Sequence, residues 1–296
     1  MPRLSVLMPV RDGEATVGPA VRSTLRALPC DAELVVYDDV SSDRTPQVLA
    51  QVHDARLRVV RGEHPAGVAG GLNHLLECTD SLLVARMDAD DVVLPGRFTR
   101  QLRAVARHDV VFSTVVDWRP DARRLRPNAP VPVSADAFGL HLLVTNPVSH
   151  PTMLARRSAL DAVGGYRDLP SEDYDLWVRL ALAGRTMTRL ATPALAYRVH
   201  GAQVTASDAW RARSWADPRL GEVYGDLSER LLGERFARLV SCTEATPDVL
   251  DALDDFEERM VLAAARLSTG QARFLLAKLR RRLAAVRGRL VLVGAG

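Results

Sequence analysis

The sequence predicts an α/β fold, a mostly parallel central sheet flanked by helices, with a helical region appended at the C-terminus. Three observations carry that expectation. Short runs rich in Val and Leu recur up to residue 118, the segments between them repeat apolar residues at helical spacing, and from about residue 205 onward nearly everything has helical character. Apolar runs without polar alternation mark strands covered on both faces. Alternating strand and helix implies parallel strands joined by right-handed crossovers.

The strands read in order as "LSVLMPV" (4–10), "ELVVYDD" (33–39), "LRVVRG" (57–62) and "SLLVARMD" (81–88). Between them "ATVGPAVRSTLRAL", "RTPQVLAQVHD" and "GVAGGLNHLLECT" supply the helices. After Pro95, a residue suited to the first helical turn, "GRFTRQLRAVARH" continues as helix and "DVVFSTVVDW" as strand. Residues 120–150 are proline-rich and read as irregular; "PTMLARR" resumes, followed by helices at "SALDAVGG" and "EDYDLWVRLALAGR". Helical segments near 208–216, 227–240, 247–268 and 270–287 complete the chain, which divides into 1–205 and 206–296. The ending "GRLVLVGAG" looks like the first strand and glycine turn of a dinucleotide-binding unit. No internal repeat is visible.

With 296 residues, 47% hydrophobic and 25% charged, the composition is that of an ordinary globular chain. A net charge of +3 is too mild to argue for nucleic acid. Cys30, Cys78 and Cys242 are odd in number and lack C-x-x-C spacing, which points away from a disulfide framework or zinc site and toward free thiols. The N-terminal apolar run is too short for a signal peptide, and no segment approaches the roughly 20 apolar residues of a span. A cytoplasmic protein is expected. The basic, amphipathic "AKLRRRLAAVRGRL" suits peripheral contact with the inner membrane face. The plainer alternative is a solvated helix packed through its Leu and Val face.

In open α/β sheets, ligands bind beyond the carboxyl ends of the strands. Those ends carry "PVRDG", "DDVSSDRT" and "DADD". For Asp88, Asp90 and Asp91 the bland reading is an acidic turn at a helix N-terminus, which one carboxylate would satisfy. Three at the end of a buried strand call for a divalent cation shared with phosphate oxygens. In "YDDVSSDRT", Ser42 or Asp43 is suited to cap the following helix, leaving Asp38 and Asp39 unexplained. A strand-end carboxylate can accept hydrogen bonds from a nucleobase or from ribose hydroxyls. On "SEDYDLW", Asp173, Leu176, Trp177 and Leu180 stand three and four apart, a capped amphipathic helix opening at Ser171. In "YRVHG", Arg198 and His200 alternate on one side of an extended segment.

Taken in order, "SVLMPVRDGEATVGPAVRSTL", "DDVSSDRT", "GLNHLLE", "ARMDADDVVLPGRFTRQ", "GGYRD", "SEDYDLW" and "YRVHG" resemble the motifs of family 2 glycosyltransferases over residues 3–205. The resemblance implies the GT-A, Rossmann-like fold and an inverting transfer from a nucleotide sugar, most often a UDP-sugar, assisted by Mn²⁺ or Mg²⁺. It puts Asp39 against the base, with Pro9, Val10 and Arg11 around its pocket and Asn73 near the nucleotide or bracing the acidic loop. Asp88 would approach ribose or donor sugar, and Asp90 would hold the metal with His200. Arg198 would neutralise the diphosphate, and Asp91 would support the loop. Asp173 becomes the general base and Glu172 orients acceptor or base. The acceptor would be a glycan, a lipid-linked sugar or a small molecule, and the C-terminal helices would serve acceptor, membrane-surface or homo-oligomer contacts.

The chain departs from the family where Tyr-Asn is usual and Arg11 and Asp12 stand, and where Gly is usual and Val40 stands. Both departures touch the base pocket and leave "DADD" and "SED" intact. An inactive nucleotide-sugar-binding module and a nucleotide-sugar hydrolase are the competing readings.

Overall fold

The computed structural model describes residues 2–199, 208–239, 242 and 246–294. By compactness the chain falls into two units. One comprises Met1–Pro132, Val148–Asp168 and Arg185–Gln203, the other Val133–Pro147, Leu169–Gly184 and Val204–Gly296. The first holds the sheet; the second is helical.

In the sheet unit the strands are β1 (Leu4–Val10), β2 (Ala32–Asp38), β3 (Leu57–Arg61), β4 (Leu83–Arg86), β5 (Val92–Val93), β6 (Val110–Arg119), β7 (Arg124–Pro127), β8 (Leu154–Arg156) and β9 (Met187–Arg198). Its helices are α1 (Val17–Ala27), α2 (Thr45–Ala50), α3 (Gly67–Glu77), α4 (Arg97–Ala104) and α6 (Arg157–Asp161). The sheet order is β3-β2-β1-β4-β8-β6-β9-β5, with β7 paired to β6. β1 runs parallel to β2 and β4, β2 to β3, and β6 to β9. Because β8 is antiparallel to both β4 and β6, β6 and β9 regain the direction of β1. The carboxyl ends of β1, β2, β3, β4, β6 and β9 therefore lie along one edge.

The register follows from burial. Leu4, Val6, Met8 and Val10 alternate along β1 and pack with Leu34 and Val36 of β2 and Val17, Val21 and Leu25 of α1. The intervening Leu7 and Val35 are buried on the other face, where α3 packs on β1 and β2 through Leu72 and Leu75. Each such side chain contributes about 1.5–3 kcal/mol. A one-residue slip would turn all of them over at once.

The helical unit contains α5 (Ala135–Val144), α7 (Glu172–Leu182), α8 (Asp208–Ala216), α9 (Pro218–Leu232), α10 (Pro247–Ala264) and α11 (Thr269–Gly294). α5 and β7 arise from the stretch expected to be irregular. α5 buries Ala137, Phe138 and every residue from Leu140 to Val144, so it has no polar face to give a helical period. The expected strand in "GRLVLVGAG" is corrected too: residues 288–294 continue α11. Among the described residues no helix is long and apolar enough to cross a membrane.

Candidate active site

The acidic loop leaves β4 at the carboxyl edge of the sheet. One ligand atom from each of Asp88, Asp90 and Asp91 lies within 4.8 Å of the others, with Asp91 buried and the other two partly exposed. Asp88 Oδ1 is ion-paired with Nη1 of the buried Arg86. Asp91 Oδ1 accepts the Arg198 backbone N–H at 2.8 Å, while Asp91 Oδ2 is buried with no hydrogen-bond partner. Burial, then the neighbouring Asp90 charge, pushes the Asp91 carboxyl up to about 8 against the pull of that N–H. An ionised oxygen left dry and unpaired is costly, so the group holds its proton. Three hard oxygen donors around one orphaned oxygen fit Mg²⁺ or Mn²⁺. A cation placed there would invert the proton preference.

Arginines frame this loop. Arg198 Nε donates to Asp90 O at 2.8 Å, and its guanidinium lies 4.3 Å from the Trp118 ring centroid, a cation–π contact between the ends of β9 and β6. Arg97, at the start of α4, is 1% exposed and donates from Nη2 to Arg86 O and Pro151 O, both at 2.7 Å. Burial lowers its guanidinium to about 9, which leaves it a cation at neutral pH. Gln101, one turn on, accepts from Arg97 Nε at 3.1 Å and donates to Thr152 O at 2.5 Å. The end of β4 is thus fixed to the 150–152 turn from below. Sequence reading missed this network. Arg86 inside an apolar run was a legible signal; Arg97 and Gln101 looked like surface residues of a basic helix.

At the ends of β1 and β2 two loops are laced together. Asp12 Oδ1 accepts from Ser42 N and Oγ at 2.8 and 3.0 Å, Ser41 Oγ accepts from Asp12 N at 3.0 Å, and Thr45 Oγ1 accepts from Gly13 N at 2.8 Å. The Ser42 backbone N–H, then its hydroxyl, holds the Asp12 carboxyl below its ordinary value. Asp12 and Val40 have φ of 50° and 57°. Asp tolerates that region, whereas a β-branched residue there is strained. Asp43, not Ser42, serves the start of α2, its Oδ1 accepting from Thr45 N at 2.9 Å.

Of the residues assigned to the nucleotide, Pro9 pairs with Tyr37 across β1 and β2, Val10 is buried, and Arg11 is exposed with Nε 3.8 Å from Asp12 Oδ2. Asp39 is 4% exposed; its Oδ1 and Oδ2 accept from Ala66 N at 2.6 Å and Gly67 N at 3.0 Å, at the start of α3. Each oxygen keeps a second lone pair for a ligand. Asn73 does not reach the acidic loop. Its Nδ2 donates to Tyr166 O and its Oδ1 accepts from Tyr166 N, both at 2.9 Å. A Cβ on Gly165 (φ 67°) would come within 2.8 Å of Asn73 Oδ1, so "GLN" and "GGY" are two halves of one brace. His200 lies outside the described residues.

In the helical unit, α7 opens with Glu172 and Asp173 in its first turn. Asp173 Oδ2 accepts from Asn146 Nδ2 at 2.8 Å and Oδ1 from Tyr174 N at 2.6 Å. Asp175, 0% exposed, accepts from Arg179 Nε at 2.7 Å, a buried pair one turn apart. Asn146 was not picked out from sequence, since it follows the helix hidden in the apolar run. The arrangement gives α7 a carboxylate oriented from two sides.

A family model described as glycosyl transferase family 2 matches residues 5–164, more than half of the chain. The chain is 28% identical over 191 residues to the putative glycosyltransferase EpsE of Bacillus subtilis (strain 168), covering 60% of this chain and 66% of that protein. It is 28% identical over 109 residues to the UDP-Glc:alpha-D-GlcNAc-diphosphoundecaprenol beta-1,3-glucosyltransferase WfgD of Escherichia coli, covering 37% of this chain and 43% of that protein. The matches thus span less than two thirds of either relative. Among solved structures, S. aureus TarS 1-349 in complex with UDP-GlcNAc superimposes with a TM-score of 0.61 at 16% identity, over 100% of this chain and 92% of that one. At that identity the likeness speaks for the fold.

Proposed function

The chain belongs to glycosyl transferase family 2 and has the GT-A fold, and from that premise we propose that it moves a sugar from a UDP-sugar to an acceptor hydroxyl with inversion. The observation that carries the proposal is the cluster of Asp88, Asp90 and Asp91 around a buried, unpartnered Asp91 oxygen at the carboxyl edge of the sheet. WfgD is named for a UDP-Glc donor, and TarS was crystallised with UDP-GlcNAc.

In this reading Asp90 and His200 hold Mn²⁺ or Mg²⁺, with Asp91 supporting the loop. A cation held there would supply Lewis-acid charge to the diphosphate. Asp88 takes ribose or donor sugar, and Asp39 with Pro9, Val10 and Arg11 takes the base. Arg198 adds a fixed positive charge beside the acidic loop. The acceptor oxygen bonds to the anomeric carbon as that carbon's bond to the phosphate oxygen breaks. The acceptor proton passes to the Asp173 carboxylate, which Asn146 orients, and Glu172 positions the acceptor.

The test is product analysis with UDP-sugars and Mn²⁺, with and without a panel of glycan, lipid-linked and small-molecule acceptors. Transfer to an acceptor by the wild type, absent from Asp173→Asn, is expected. Free sugar released at equal rates with and without every acceptor would instead identify a hydrolase. UDP binding with no turnover would identify a binding module.

A further inference from the structure

Charge is segregated along this chain. The 38 residues after Glu258 carry nine basic side chains and no carboxylate, whereas the preceding 258 carry 30 basic and 36 acidic ones, a net of −6. α11 sorts much of that basic segment into two faces. Leu275, Leu279, Leu283, Val286 and Leu290 are buried within the helical unit, where α11 packs on α5 and α10. Opposite them Arg273, Ala277, Arg280, Arg281, Ala284 and Gly288 are all exposed; at 3.6 residues per turn they fall in an arc of roughly 100°. Arg287, off this arc, is paired with Asp254 and Glu257 of α10. At the corner between α10 and α11 the exposed Arg266 follows Val261 and Leu262, which are 41% and 63% exposed.

We propose that this face, Arg266, Arg273, Arg280 and Arg281 with Leu262 at its corner, docks on an anionic phospholipid surface. The arginines attract such a surface from within about a Debye length. Small side chains between the arginines let the helix backbone approach closely, and Leu262 and Val261 supply the apolar contact that turns attraction into shallow insertion. A nucleic-acid backbone would satisfy the arginines but leave those two side chains in water. The contact is peripheral, since among the described residues no helix can span a bilayer. It uses no residue of the proposed donor site and stands or falls apart from it.

Flotation of the full chain with vesicles tests it, without donor or acceptor present. Binding is expected to vesicles of phosphatidylcholine and phosphatidylglycerol in equal parts, weakened by salt, and not to phosphatidylcholine alone. The triple variant R273Q/R280Q/R281Q should lose roughly a hundredfold in affinity, about fivefold per arginine. R273K/R280K/R281K should retain binding, and Leu262→Asn should weaken what survives at high salt. Unchanged thermal melting and UDP binding in all variants would separate docking from folding and from the donor site. No binding to the anionic vesicles, or full binding by the Gln variant, overturns the proposal. So does tighter, arginine-dependent binding to RNA or DNA than to vesicles, which would make nucleic acid the partner.

Discussion

The end of β4 and the start of α7 each gather three carboxylates within four positions, yet the two regions treat that charge in opposite ways. On α7, Asp173 receives the Tyr174 N–H and the Asn146 amide, and the fully buried Asp175 is matched by Arg179. Their charge is compensated by the protein itself, at a helix end that favours anions. A buried oxygen without a hydrogen bond is common to both, Asp175 Oδ1 and Asp91 Oδ2. The difference is that Asp175 has a guanidinium at 2.7 Å, whereas at β4 Arg86 pairs with Asp88, and Asp91, held by one backbone N–H, is pushed up to about 8 by burial and by Asp90. A carboxyl held up to about 8 by burial and a neighbouring carboxylate is the one whose proton preference a cation would reverse. Counting acids in a sequence cannot tell these apart, because burial decides the difference and because the Asn146 amide and the Arg198 N–H come from elsewhere in the chain.

Breaking the compensation on α7 should have the largest effect. Arg179→Met removes the guanidinium that faces the buried Asp175 and should cost about 3–5 kcal/mol in urea-induced unfolding; a loss below about 1 kcal/mol would mean that other groups carry the compensation. Asp173→Asn should leave melting almost unchanged and keep UDP binding while lowering kcat by about 10²–10⁴-fold, and an unchanged kcat would remove Asp173 from the reaction.

The β4 cluster gives the contrasting pH dependence. Asp91 titrates at about 8 in the folded chain and near 3.9 when unfolded. Between those values the unfolded chain holds fewer protons, so the stability contributed by protonated Asp91 is complete below about pH 4 and drains away as pH rises to about 8. Thermal melting of metal-free protein across that window should show the decline, and Asp91→Asn should flatten it; the same slope in the variant would assign it to other groups. The smallest effect is expected at Val40. Replacing it with Gly relieves a β-branched residue at φ 57° and should raise stability by roughly 0.5–1 kcal/mol, net of the added chain entropy. A loss of stability would show that Val40 side-chain packing outweighs its backbone strain.

Much of the sheet unit was legible because β1, β2, β4 and β6 hold apolar runs and the crossover helices between β1 and β4 have a clear period; the exposed β7 and the mixed β9 carry no such run. α5 was not, since a helix that buries most of its circumference has little period to read, and the strand expected at the C-terminal end proved to be helix. The single boundary suggested near residue 205 also differs from the grouping by compactness, which puts α5 and α7 with the C-terminal helices. Within the site, residue types at strand ends located the acidic loop, and their chemistry pointed to a cation. What sequence could not supply was who pairs with whom. Asn73 carries the same hydrogen-bonding capacity wherever it sits, and only the fold commits it to Tyr166. Val40 is the reverse case. The departure from glycine was visible at once, but its meaning, a strained backbone in a loop laced to Asp12, needed φ.

The most direct measurement is the thermal shift produced by UDP with and without Mn²⁺, in the wild type and in Asp90→Ala. Ligand that binds only the folded chain raises its stability by RT ln(1 + [L]/Kd). If the β4 cluster holds a cation shared with a nucleoside diphosphate, UDP and Mn²⁺ together should raise the wild-type melting temperature by more than the sum of either alone, and Asp90→Ala should abolish that excess. Additive shifts in the wild type, or an undiminished excess in Asp90→Ala, would contradict a cation site at the end of β4.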